Sequence, residues 1–411
     1  MRPLFREYRG LRREVYILFL GRIVTNMGAM IWPMLTMILS VKMHMDASAI
    51  ASVFLLFSVV SLPVNLIGGR LADRFSKKYL IIWCDLVSIA SYIACAFLPL
   101  NTAALGFLFV ASLFQNIEGP AYDALMADLT AGSDRERGFS LSYLGSNLGL
   151  VLAPTIGGLL FQDYLWLAFL ISGLAIASST ILIFFKVKDI HREQSAEGEG
   201  NSYEQDAPDA STFQVLRQSP AIMLYIACTA LGSLVYSQFN YLIPMDLAAR
   251  YGSHGSVLFG TMTSLNCIIV VLFTPLLTRK SAGIRDTARL FLGESLLLSG
   301  ELIFCLLQGL PVFCYAAMAV FTVGEIMNTI SGTPWMTRRI PASHRGRIMS
   351  VITVFCSLFQ GFSQKAIGWL YDASGSRQAW IAVFAAGGLE LALLLLLRSR
   401  DRKIYPELYR S

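Results

Sequence analysis

A set of ionisable side chains lies inside otherwise apolar stretches of this chain: Arg22, Asp85, Glu118, Asp123, Glu294, Glu301, Glu325, Lys365 and Glu390. A charge at the centre of a lipid bilayer costs roughly 3 kcal/mol on insertion scales, so each is by default a handler of protons, ions or charged ligands. Glu325 follows Gly324, and Asn328, Thr329 and Gly332 come after it at helical spacing, which makes one polar stripe. A carboxylate there can take up a proton or hold an organic cation. Glu118 shares a helical face with Gln115 and Tyr122, while Asp123 points elsewhere; Arg22 lies at similar depth on the first apolar stretch. A Glu118–Arg22 pair is either a proton gate or a static brace. Lys365 either snorkels to the interface or serves as counter-ion for an anionic substrate. His44, His191, His254 and His344 all fall in polar loops, so proton coupling would rest on carboxylates.

The elements that must position these groups follow from composition. The chain is 55% apolar and 15% charged over 411 residues, whereas a soluble domain is about a quarter charged. A helix needs about 20 apolar residues to cross a bilayer, and about twelve such stretches run nearly end to end, from Tyr16–Ser40 to Trp380–Leu397. The expected class is therefore an all-α membrane protein. The basic N-terminus precedes an apolar run too long for a signal peptide, which makes that run the first span. Lys and Arg crowd alternate loops; only Lys42, Arg250 and Arg377 fall on the opposite side. That bias predicts both termini in the cytoplasm and a place in the plasma membrane, the inner membrane in a bacterium. The net charge of +6 then reflects insertion and contact with anionic lipid rather than nucleic acid.

One long polar interruption, Lys186–Ser219, reads as a linker. It divides the chain into a first six-span half, residues 1–185, and a second, residues 220–411. Arg137-Gly138-Phe139-Ser140 opens the fifth span and Arg345-Gly346-Arg347-Ile348 the eleventh, a trace of internal symmetry. The seven cysteines all lie in spans, without metal-ligand spacing, and read as small core residues. No phosphate-cradling Gly-Lys-Ser/Thr loop and no hydrolase constellation is present. An enzyme, a cofactor and a metal are not expected.

Three segments carry a resemblance. Gly69-Arg70-Leu71-Ala72-Asp73-Arg74-Phe75-Ser76-Lys77-Lys78, between the second and third spans, resembles the loop signature of the major facilitator superfamily, with Ser76 where the family has Gly and Lys77 where it has Arg. Gly145 to Gly158 resembles the family's antiporter signature on the fifth helix, with Ala153 replacing one Gly. Thr322-Val323-Gly324-Glu325-Ile326 and Ser237 to Pro244 resemble bacterial multidrug–proton antiporters, although the aspartates of that group appear here as Ser142 and Asn240. Gln115, four residues before Gly119, stands where such antiporters often carry Arg.

The resemblance implies two pseudo-symmetric six-helix bundles, with helices one, four, seven and ten lining a cavity and three, six, nine and twelve outside as supports. That ranks Glu325 first and Glu118 second as coupling residues, with Arg22 beside them. It leaves Glu294, Glu301 and Glu390 structural, and Asp85 as a brace for the basic loop. Asn26, Gln115, Tyr122, Tyr236, Asn240 and Asn328 are the expected cavity residues. Asp73 would meet the start of the eleventh helix around Ile348–Ser350, Gly69 would allow close helix approach, and Arg74 would pair with Asp128 or Asp123. Gly149, Pro154, Gly157 and Gly158 would pack the fifth helix at short range.

The function so implied is proton-coupled efflux of amphiphilic, drug-like small molecules by alternating access, performed by a monomer. Two other readings stand beside it: uptake or export of a specific metabolite, anionic ones included, with Arg22 or Lys365 as counter-ion; and a non-transporting sensor on the same fold.

Overall fold

A computed structural model describes residues 10–130, 133–187, 219–281, 283–340 and 345–406. Most of the expected linker, and the side chain of Asp73, lie outside the described residues. The described residues form helices and connecting turns, with no strand. In chain order they are α1 (Arg13–Met27), α2 (Ile31–Met37), α3 (Ala47–Arg74), α4 (Lys77–Phe97), α5 (Thr102–Leu129), α6 (Ser133–Leu150), α7 (Ala153–Leu160), α8 (Leu165–Lys186), α9 (Pro220–Ser237), α10 (Leu242–Tyr251), α11 (Ser253–Ser281), α12 (Asp286–Leu307), α13 (Pro311–Thr337), α14 (Arg345–Ser374) and α15 (Ser376–Ile404).

Three of the expected spans are broken in two. A proline marks each break: it lacks a backbone donor and fits best in a first helical turn, whereas Pro63, Pro120, Pro275 and Pro334 are carried inside unbroken helices. Pro33 sits in the first turn of α2, Pro154 in that of α7 and Pro244 in that of α10. Counting each broken pair once, ten helices among the described residues are long and apolar enough to cross a membrane. The helices α5 and α14, at 28 and 30 residues, are also long enough but carry a heavier polar load. Together they make the expected twelve.

Contacts divide the chain into two compact units. The first comprises Met1–Met45, Leu56–Ser195 and Pro244–Val271; the second comprises Asp46–Leu55, Ala196–Ile243 and Leu272–Ser411. The core of the first gathers Val15, Leu18, Ile81, Tyr122, Leu125, Met126 and Ile183. That of the second gathers Ile222, Tyr225, Leu290, Trp335, Ile348, Leu394 and Leu397. Large apolar side chains also stand on the outside: Phe97 is 75% exposed, Phe185 72% and Leu306 70%. A surface of that kind is unfavourable in water and suits hydrocarbon.

Small residues set the helix spacing within each unit. A side-chain carbon at Gly149 would lie 2.5 Å from the Ile23 carbonyl oxygen of α1, and one at Gly157 would lie 3.0 Å from that of Met30. Gly158 abuts the backbone of Ser256, and the Pro154 carbonyl abuts Gly260, both on α11. All four residues of the fifth-span motif thus sit at helix contacts. In the loop signature the close approach is made one residue earlier than expected. Gly68 touches the Ile117 backbone of α5, where a side-chain carbon would be 2.9 Å away, whereas Gly69 has nothing within 4 Å. The partner of Asp128 also differs: Lys77 reaches it at 2.8 Å, and Arg74 is exposed. The shorter reach of a lysine in the first turn of α4 suffices, because α4 and α5 pack side by side.

Candidate functional site

Each unit encloses a polar cavity. In the first, Arg22, Asn26, Trp32, Asp85, Tyr92, Gln115, Glu118 and Ser172 are among the residues around about 250 Å³. In the second, Tyr225, Thr229, Ser233, Tyr236, Glu294, Glu325, Asn328, Glu390 and Leu394 are among those around about 320 Å³. The second lies at the small end of the ~300–1,000 Å³ range of ligand pockets, and the first falls just below it.

The first cavity is organised around Arg22. Its guanidinium stacks 4.0 Å from the centre of the Tyr122 ring and lies 4.0 Å from the Asp123 carboxylate. Glu118 faces the same cavity and feels the Arg22 charge. The expected neighbourhood of Glu118 and Arg22 is therefore present, but Asp123 turns toward Arg22 rather than away. Tyr122 is not a cavity residue. It is 2% exposed, and its hydroxyl donates to the Leu18 carbonyl at 2.6 Å, so it serves as a platform beneath Arg22. Gln115 donates toward the Tyr92 hydroxyl at 3.5 Å. Asp85 accepts from Thr180 of α8 at 2.6 Å and lines this cavity. Its place facing Arg22 replaces the expected role of bracing the basic loop.

The second cavity concentrates carboxyl groups. The Tyr236 hydroxyl on α9 donates to Glu325 Oε1 on α13 at 2.9 Å. Tyr236 also stacks on Phe321, with ring centres 5.6 Å apart, which fixes the phenol in line with the carboxylate. One turn along α13, the Asn328 amide donates to Glu294 Oε1 on α12 at 2.7 Å. Glu390 on α15 completes the acid set. The support helices therefore do reach the cavity: Glu294 and Glu390, read from sequence as structural, line it beside Glu325. Close packing of α12 on α13 at Gly293, Gly300 and Gly324 brings Glu294 there, and Gly232 of α9 leaves room for Glu390. Of the expected cavity residues on this side, Tyr236 and Asn328 line it, whereas Asn240 stands in the short 3-10 turn between α9 and α10.

Lys365 is engaged within the second unit. Its ammonium group donates to the Ser48 carbonyl at 2.8 Å and to the Ser52 hydroxyl at 2.6 Å. Asp372, two turns further along α14, accepts from the backbone N–H groups of Ala47 at 3.0 Å and Ser48 at 2.8 Å. A carboxylate at the start of α3 is favourably placed against the positive helix end. Lys365 is thus engaged at the start of α3 and is not among the residues around either cavity. Among the described residues, no group of three or more His, Cys, Asp or Glu side chains is arranged to hold a metal ion.

Comparison with known proteins adds the family context. The sequence pattern of the Major Facilitator Superfamily matches residues 17–364. The chain is 24% identical over 367 residues to a Na(+), Li(+), K(+)/H(+) antiporter of Planococcus maritimus, an alignment covering 80% of this chain and 84% of that relative. It is 22% identical over 341 residues to multidrug resistance protein 1 of Bacillus subtilis (strain 168), covering 80% and 82%. A solved structure of peptide transporter POT in complex with sulfate superposes with a TM-score of 0.79 at 16% identity, over 96% of both chains. That likeness is one of fold: an all-α membrane architecture.

Proposed function

Because this chain belongs to the major facilitator superfamily, we propose that it is a proton-coupled secondary transporter that exports amphiphilic, drug-like small molecules by alternating access. One observation carries this reading: the Tyr236–Glu325 pair in a cavity that sets apolar and aromatic side chains beside its acids. A carboxylate held by a phenol, beside Leu290, Leu297, Leu394 and Tyr225, matches the charge and the apolar body of a lipophilic cation. Protonation of Glu325 would remove the attraction, and ionisation would restore it, which is the coupling an antiporter needs. Glu118 and Arg22 form the helper site in the first cavity. The chain would act as a monomer in the plasma membrane with both termini cytoplasmic. Its functional halves would be residues 1–185 and 220–411, joined by the linker of residues 186–219. It needs neither cofactor nor metal.

A second reading is exchange of hydrated alkali cations for protons. Glu294, Glu325 and Glu390 around one cavity favour it, as does the similarity to an antiporter of that kind. The anionic-metabolite reading loses a candidate counter-ion, since Lys365 is committed to Ser48 and Ser52.

The deciding experiment measures dissipation of a pH gradient in everted vesicles on addition of hydrophobic cations, neutral drugs, NaCl or KCl. Export through Glu325 predicts a response to several hydrophobic cations that is lost in Glu325→Gln. A response to NaCl or KCl alone selects the alkali-cation reading. No response to any addition, with the protein present in the membrane, removes both.

A further inference from the structure

The second cavity holds more acid than coupling through Glu325 requires. Glu294 on α12 and Glu390 on α15 bring their carboxyl groups within hydrogen-bonding reach of each other. Two ionised carboxylates offer only acceptors, so a hydrogen bond between them requires that one carry a proton. The backbone makes room for this contact. A side-chain carbon at Gly232 of α9 would lie 2.5 Å from Glu390 Oε1 and 3.2 Å from Glu294 Oε1. Asn328 holds Glu294 from the other side through its amide N–H at 2.7 Å.

Glu301 supplies a separate observation. It lies seven residues after Glu294, on the same face of α12, and is 1% exposed. Neither of its carboxyl oxygens has a hydrogen-bond partner among the described residues. The group whose charge it feels is Glu294, and its own charge acts on Glu390. An enclosed carboxyl without a protein partner is far too costly as a bare anion, so it carries a proton or holds something that is not a protein group. The remaining titratable groups around the pair are Tyr225 and Cys228 on α9, Glu325 on α13 and Cys356 on α14. The cations on α12 and just after α13 are already engaged: Arg289 and Arg338 by Asp286, and Arg339 by Asp401.

We propose that Glu294 and Glu390 form a proton-holding site distinct from Glu325, in which one proton is shared between two carboxyl groups and Glu301 is the reserve acid behind them. When a cation enters the cavity, the O–H bond of the pair breaks and the proton leaves through cavity water. The pair keeps one more negative charge, which the cation neutralises. The site rests on the reading of this chain as a proton-coupled transporter, but it can be tested apart from transport.

The test is infrared difference spectroscopy on the full-length protein in lipid nanodiscs, recorded on raising the pH and on adding tetraphenylphosphonium. The wild type is expected to lose a carbonyl stretch of a protonated carboxyl in both experiments. Glu294→Gln and Glu390→Gln should each remove the same band, the double variant should remove no more, and Glu325→Gln should leave it. Gly232→Ala keeps every carboxyl but wedges the pair, and should shift the band. Bands that differ between the two single variants and add in the double variant mean independent acids and overturn the site. A band that survives both overturns it as well. If the spectra behave as expected while no compound moves the pH gradient in vesicles, the site stands and the export reading falls. If vesicles respond fully in both Gln variants, the export reading stands and the site falls.

Discussion

Arg339 and Asp401 meet through two hydrogen bonds of 2.7 Å, from Nε to Oδ1 and from Nη2 to Oδ2. Their side chains are 4% and 0% exposed, and the Trp335 ring stacks 4.4 Å from the guanidinium. Removing one member of such a buried pair leaves a bare charge, at a cost of about 3–5 kcal/mol. Asp401→Asn is therefore expected to lower the Tm in detergent and the yield of folded protein. Arg339→Met combined with Asp401→Leu should recover much of both, because two apolar groups leave no charge behind. Size-exclusion profiles after stepwise heating read the effect; an Asp401→Asn profile matching the wild type would remove the pair from the list of stabilising contacts. The acids of the second cavity contrast with this pair, since Glu294 is held by the Asn328 amide and Glu325 by the Tyr236 phenol. Sequence marked them all as costly but could not say which would meet, because Glu294, Glu325 and Glu390 lie on three different helices.

Helix spacing is decided by glycines at particular crossings. On α12, Gly293 and Gly300 recur at a seven-residue interval and face α13. A side-chain carbon at Gly300 would lie 2.7 Å from both the Ala317 carbonyl oxygen and the Phe321 amide nitrogen, and one at Gly324 would lie 2.5 Å from the Gly293 carbonyl oxygen. These are backbone atoms that cannot step aside. In lipid, where burial gives little drive for helix association, such close packing supplies the contact. Gly300→Val is expected to separate α12 from α13, destabilise the fold by about 1–3 kcal/mol and weaken transport, since Glu294 rides on α12. Gly106→Ala, with nothing within 4 Å of the added carbon, should match the wild type in the same thermal assay. The helix breaks belong to this scale too. Hydropathy reads α1 with α2, α6 with α7, and α9 with α10 as single apolar runs, and only the backbone path shows where each proline ends one helix and starts the next.

Across the whole molecule, the charge bias of the loops predicts both termini on the cytoplasmic side. Fusions to the C-terminus provide the check: a fluorescent protein should fold and emit, whereas alkaline phosphatase should stay inactive. The opposite pattern would invert the topology and, with it, the direction assigned to transport.

The sequence by itself determined that this chain crosses a membrane about twelve times as helices, because span length and loss of backbone solvation leave no other solution for apolarity on this scale. It also carried the family signature at Gly69 to Lys78 and singled out Glu325 and Glu118 as costly groups. Tertiary structure alone decided who neighbours whom. Tyr122 became a platform under Arg22, Lys365 was committed to Ser48 and Ser52, and Glu294 and Glu390 were drawn into the cavity of Glu325. The reason is physical: helical periodicity fixes which residues share a face of one helix, whereas the face turned to another helix depends on contacts such as Gly232 and Gly300, made between residues far apart in the chain.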